Sequence, residues 1–224
     1  MSFFNKLKKN PKPNQTEGDA ISYGWDAITS KFELLYPGQT HPQHYGTLVR
    51  WRFGGRDPLD GISVYDGGDF WHFVTYGFSD LYEKEMTDSE WSGFGFELTL
   101  KLKKLPSFAL SDTDDKEIRN ILGILQSLAR YVFDSGKCIA PYEYIYTGQK
   151  SGFDANQQSK LTGFATLPDS AGLIDTPNGK LQFICVVGLT DKELKSIVEK
   201  EHTTKEILEL HGNDLTDYSR GELF

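Results

Sequence analysis

The sequence predicts an α+β fold, a mixed, largely antiparallel β-sheet packed with helices, on three observations. Two apolar stripes at helical period, over residues 21–35 and 118–132, are each long enough to cover a sheet. Between and beyond them lie segments that alternate at period two or run apolar for a few residues, the two signatures of strands. These segments follow one another without the strict strand–helix–strand rhythm of a parallel α/β protein. A chain of 224 residues buries roughly 70% of its unfolded surface around one core. Residues 19–224 are therefore expected to form one domain, behind a flexible basic tail and linker at 1–18.

In the first helix Ile21, Trp25, Ile28, Phe32 and Leu35 fall on one stripe, and Pro37-Gly38 ends it. Val49, Trp51 and Phe53 alternate with Arg50 and Arg52, the pattern of a half-buried strand stopped by Gly54-Gly55. Ile62 to Tyr65 and Phe70 to Tyr76 read as a hairpin around Asp66-Gly67-Gly68-Asp69. Phe94, Phe96, Leu98, Leu100 and Leu102 alternate with Gly95, Glu97, Thr99, Lys101 and Lys103, which predicts one face on a core and one in water. A long helix is expected over 114–134, with Ile118, Ile121, Leu122, Leu125, Leu128, Ala129 and Val132 as its apolar face. Asp114, Asp115 and Glu117 suit the positive end of its dipole, and Gly136 its C-terminal cap. Strands follow at Tyr142–Tyr146 and Gly163–Leu167, then the turn Pro177-Asn178-Gly179 and a central strand from Leu181 to Val187. Thr190 with Glu193, and Thr203 with Glu206, have the spacing of capping boxes and start two short helices.

Composition narrows the function classes. The 24 basic residues against 32 acidic ones leave the chain at −8, whereas a nucleic-acid duplex needs a basic surface. Nucleic acid is thus not an expected partner, and the acidity favours a basic one. No run approaches 18 apolar residues and the N-terminus lacks a signal-peptide core, so a cytoplasmic monomer with no membrane contact is expected. Cys138 and Cys185 are the only cysteines, too few for a disulfide framework, and are expected as free thiols.

No catalytic set stands out, and no cofactor or metal is expected. Asp57, Asp60, His72 and Glu97 are the residues from which a metal-assisted or acid/base hydrolase would have to be built. Asp57-Pro58 and Asp60-Gly61 are better read as turn formers whose carboxylates cap local N–H groups, and His72 as a strand histidine bonded to backbone. Cys185 lies in an apolar run, which raises a thiol's pKa and blunts it as a nucleophile. Tyr142, Tyr144 and Tyr146 alternate with Glu143 and Ile145. A tyrosine row can face a core or a partner, and the sequence leaves the two readings balanced.

Several strings, in this order and spacing, carry a family resemblance. They are Leu35-Tyr36-Pro37, Gly54-Gly55-Arg56-Asp57-Pro58-Leu59-Asp60, Trp71-His72-Phe73, Tyr76-Gly77-Phe78-Ser79-Asp80-Leu81-Tyr82, Ser92-Gly93-Phe94-Gly95-Phe96-Glu97-Leu98-Thr99 and Leu128-Ala129-Arg130-Tyr131-Val132-Phe133. Together they resemble the conserved domain of the Suppressor of fused family, over about residues 20 to 222. The resemblance implies that family's N-terminal-domain fold and a non-enzymatic role in binding and sequestering a protein. Animal members hold Gli-type transcription factors in the cytoplasm and use a second, C-terminal domain to help clamp the ligand; this chain ends where that domain would begin. Stand-alone bacterial-type members are similar to immunity proteins that neutralise toxins, so the partner implied is a basic toxin domain or an extended peptide. The family's ligand face falls here on Tyr131 and Glu143, with Tyr142, Tyr144 and Tyr146 beside them. A third, acidic family position falls near Leu167, where the acid is missing.

Overall fold

The structure is a computed structural model that describes residues 21–49, 51–83, 89–104 and 111–224. The basic tail expected at 1–18 and Arg50 lie outside the described residues, as do the side chains of Arg52 and of residues 111–114, Asp114 included. In chain order the elements are α1 (Tyr23–Leu35), β1 (Gln43–Gly46), β2 (Gly61–Asp66), β3 (Phe70–Tyr76), β4 (Trp91–Lys103), α2 (Ser111–Ser135), β5 (Tyr144–Ile145), β6 (Leu161–Thr176), β7 (Gly179–Thr190), α3 (Asp191–Val198), α4 (Thr204–His211) and β8 (Leu215–Thr216).

One eight-stranded sheet runs β1-β2-β3-β4-β7-β6-β5, with β8 beside β4. The β1–β4 strands form an antiparallel meander, β4 meets β7 in parallel, and β7, β6 and β5 are antiparallel. The sheet is therefore mixed and mostly antiparallel, as expected. Alternation along β7 sends Ile184 and Val186 to one face, where Ile118, Ile121, Leu125, Ala129 and Val132 of α2 cover them. Phe183, Cys185 and Val187 point to the other face, beneath α1, α3 and α4. Fully burying one such side chain contributes about 1.5–3 kcal/mol. Both capping boxes are present, at Thr190–Glu193 and Thr203–Glu206.

A close approach fixes how α1 sits. The Gly24 amide donates to the Leu81 carbonyl at 3.0 Å. A Cβ at that position would lie 2.2 Å from the Asp80 carbonyl oxygen, so only glycine lets the helix start there.

Three expectations need correction. Trp51–Phe53 is a single 3-10 turn, not a strand, and Val49, Trp51 and Phe53 are exposed. The edge they would need is taken by β1, and the Thr47 amide donates to the Asp60 carbonyl at 3.0 Å, which ties the end of β1 to the start of β2. The alternation in β4 is real, but its polar face meets water only at Lys103: Glu97, Thr99 and Lys101 are buried because helices cover both sides of the sheet. The strand expected over Tyr142–Tyr146 pairs only at Tyr144–Ile145.

Candidate functional site

β5 ends the sheet. Its inner side pairs with β6, Tyr144 opposite Ala165 and Ile145 opposite Phe164, and among the described residues no strand lies on its outer side. Between this edge and the C-terminal half of α2 opens a groove of about 770 Å³, lined by Leu128, Tyr131, Cys138, Ile139 and residues 142–146. Tyr131, Tyr142, Tyr144 and Tyr146 are 40–53% exposed, which resolves the balanced reading of the tyrosine row in favour of the surface. Ile145 turns inward onto the α2 core.

The turn that presents these rings is held by Thr166. Its hydroxyl donates to the Ala140 carbonyl at 2.7 Å and accepts the Glu143 amide at 3.0 Å, while the Tyr142 amide donates to the Thr166 carbonyl at 2.6 Å. Tyr142 is consequently held at φ 67°, a left-handed conformation uncommon for a bulky side chain. Such strain, on the order of 1–3 kcal/mol, persists where surrounding bonds enforce it and clusters at binding sites. Glu143 accepts the Ala140 amide at 3.0 Å. Tyr146 donates to Asp191 at 2.8 Å, and that bond raises its pKa. The Lys205 ammonium lies 5.9 Å from the Tyr142 ring centre. Cys138 is a free, exposed thiol on the groove wall. Leu167, at the missing acidic position, packs against the cluster under α3 and α4 and does not line the groove.

The residues named for a hydrolase are not brought together. Asp57 accepts from Arg130 at 2.6 Å, a tertiary ion pair and not the local backbone cap expected of it. Asp60 supplies backbone bonds to Tyr76 and Thr47 at the base of the β1–β2 loop. Glu97 accepts from the Thr75 hydroxyl (2.6 Å), the Gly77 amide (2.9 Å) and both the amide (2.9 Å) and hydroxyl (2.7 Å) of Ser79. Burial pushes its carboxyl up to about 7 against these bonds. His72 pairs in register with Lys101, four residues from Glu97 and so about 13 Å away along β4.

His72 belongs to a different cluster, beneath α1. Its partners are side chains and not the expected backbone: the Tyr36 hydroxyl lies 2.6 Å from Nδ1, and Asp169 Oδ2 3.3 Å from Nε2. Asp169 also accepts from the Thr99 hydroxyl at 2.9 Å and the Ala171 amide at 2.7 Å. Burial would raise its pKa, but His72, Lys101 and these bonds hold it well below the usual carboxylate range. The Lys101 ammonium sits 3.5 Å from Asp169, binds Asp214 directly and donates to Ser170 at 3.1 Å. Asp169, Cys185 and Asp214 place their potential metal-ligating atoms within 4.8 Å of one another. Lys101 already supplies the cation for the two carboxylates, and burial pushes the Cys185 thiol up. Sequence reasoning missed this cluster because it assigned Thr99 and Lys101 to a wet face.

An open sheet edge beside an aromatic groove is the build of a protein-interaction domain, and the similarities to known proteins agree. The profile of the Suppressor of fused protein (SUFU) matches residues 55–221. The Suppressor of fused homolog of Homo sapiens is 32% identical over 188 residues, 77% of this chain and 37% of that protein, and the Mus musculus homolog matches to the same extent. Two solved structures are similar throughout. One, described as the Sufu-Fu complex crystal structure, has a TM-score of 0.76 at 26% identity and covers 92% of this chain and 94% of the other. Drosophila Suppressor of Fused has a TM-score of 0.78 at 27% identity, covering 91% and 52%. The chain belongs to the Suppressor of fused family. It spans 37% of the length of the curated relatives it matches. Among the described residues no helix is long and apolar enough to cross a membrane.

Proposed function

We propose that this chain is a non-enzymatic binding domain that sequesters or neutralises a protein partner, held in the groove between α2 and β5. The observation that carries this reading is the set of four half-exposed tyrosines around a strand whose outer edge is unpaired among the described residues. An extended segment adding to β5 would gain main-chain hydrogen bonds, with alternate side chains entering the groove. Tyrosine offers a large contact area at low entropic cost. Tyr131 lines the groove from α2, and Tyr142, Glu143, Tyr144 and Tyr146 line it from the β5 segment.

For the partner's identity, the support is chemical and comparative. A net charge of −8 favours a basic surface, and a relative has been solved as the Sufu-Fu complex. These, with the resemblance to stand-alone bacterial-type members, favour a cytoplasmic, monomeric immunity protein acting on a basic toxin domain. The hydrolase alternative draws no support from the geometry, since His72 lies about 13 Å along β4 from Glu97, Glu97 is fully buried and Asp57 is paired with Arg130.

The test is a calorimetric titration with a purified basic nuclease-like toxin domain. Wild type should form a stable complex, and the double variant Tyr131→Ala/Glu143→Lys should weaken it by about tenfold or more. A double variant that neutralises the toxin fully would show that binding lies elsewhere.

A further inference from the structure

We infer that α2 carries a second docking surface, on its solvent face at Gly123, for an extended acidic segment of a protein partner. Two hollows flank the helix there. One, of about 510 Å³, lies between α2 and the loop after β1 and includes Leu48, Val49 and Arg56. The other, of about 560 Å³, lies on the opposite flank and includes Arg119, Ile124 and Phe153. Both include Gly123 and Arg130, so they meet as one saddle across the helix.

Packing does not account for the glycine. A Cβ at Gly123 would meet nothing within 4 Å, and glycine inside a helix is otherwise unfavourable. Its effect is to leave the helix backbone bare at the crossing point. Charge supplies the second, independent observation. Arg56 and Arg119 are exposed, and among the described residues neither has a carboxylate within ion-pair distance. Arg130 is paired with Asp57, the one carboxylate among the described residues that lines either hollow. On a chain of net charge −8, these guanidiniums form a local field of the opposite sign.

The geometry selects the shape of the occupant. The hollows lie on either side of a helix about 10 Å across, a span that about three residues of extended chain cover at roughly 3.3 Å each. A helical occupant would be as thick as α2 itself and could not enter both sides at once. Carboxylates about three residues apart would meet Arg56 and Arg119, and the guanidinium fork is suited to carboxylate. Aliphatic residues between them would cover Leu48 and Ile124. Tyr131 lines neither hollow; the second touches the β5 groove only at Leu128, so the two surfaces adjoin along α2 while the tyrosines stay outside the saddle.

A phage-displayed library of random ten-residue segments tests the inference. Selection on wild-type protein should enrich sequences with two acidic residues about three apart. One enriched peptide, synthesised and labelled, should bind about tenfold or more weakly to Arg56→Glu/Arg119→Glu and to Gly123→Phe, and about equally well to Tyr131→Ala. Circular dichroism of each variant checks the fold, and the arginine pair keeps the test decisive should Gly123→Phe unfold. The inference is overturned if no acidic enrichment emerges, or if the peptide binds both surface variants as tightly as wild type. It is equally overturned if Tyr131→Ala abolishes binding, or if vesicles of anionic lipid bind at the saddle and the acidic peptide does not.

Discussion

On one face of the sheet His72, Lys101 and Asp169 are buried in one cluster and Glu97 in another, and each finds its partners inside the protein. Across the sheet the order is reversed: α2 turns its apolar side inward, while its outer face and the β5 edge leave tyrosines and arginines exposed. The first region holds the most chemically suggestive side chains and spends them on the fold. The second holds ordinary surface residues arranged around open grooves. A perturbed carboxylate alone therefore does not mark a functional site, because structural networks perturb pKa values as well.

The sharpest way to break this contrast is to remove Asp169. Asp169→Ala takes the acceptor from the buried Thr99 hydroxyl, the Ala171 amide and the His72 ring, at about 1–3 kcal/mol each, while Lys101 keeps Asp214. About 3–5 kcal/mol should therefore be lost in urea unfolding, while partner affinity per folded molecule stays unchanged. A loss of affinity equal to the loss of stability would merge the two regions into one functional unit.

Glu97 gives the next largest effect. Its folded pKa of about 7 stands above the ordinary 4.5, so burial favours the protonated form. The stability it contributes is full below about pH 4.5 and is lost as pH rises through about 7. Unfolding free energy should fall between pH 5 and 8 by up to about 3 kcal/mol. In Glu97→Gln that slope should vanish.

Tyr131→Ala should act in the opposite sense to Asp169→Ala. About 2 kcal/mol of partner binding should be lost in titration calorimetry, with stability within about 0.5 kcal/mol of wild type. Smallest of all, Gly123→Ala should raise helix stability by about 0.5–1 kcal/mol and the melting temperature with it, since the new methyl meets open space. Destabilisation there would mean that the outer face of α2 is packed by the protein itself.

Much of the fold was legible, for reasons that differ by element. The stripe Ile118–Val132 and the cap pairs Thr190–Glu193 and Thr203–Glu206 rest on neighbours three or four residues apart, which a sequence displays directly. Val49–Phe53 has as good a strand pattern as Phe94–Leu102, yet only the second finds strands to pair with. The candidate groove was half legible. Its four tyrosines and Glu143 were named, while Ile139 was not, and whether the tyrosines faced water depended on β5 lying at the end of the sheet. The pinning role of Thr166 and the pairing of Asp57 with Arg130, 73 residues away, left no local signal.

By itself the sequence determined the helices, their caps and the alternation of the strands, because these follow from backbone geometry over one or two turns. Tertiary structure decided which polar positions are dry, which edge stays open and which charges remain unpaired. Burial and pairing at any residue depend on what other segments are brought against it. Here helices close over both faces of the sheet while, among the described residues, no strand pairs with the outer side of β5.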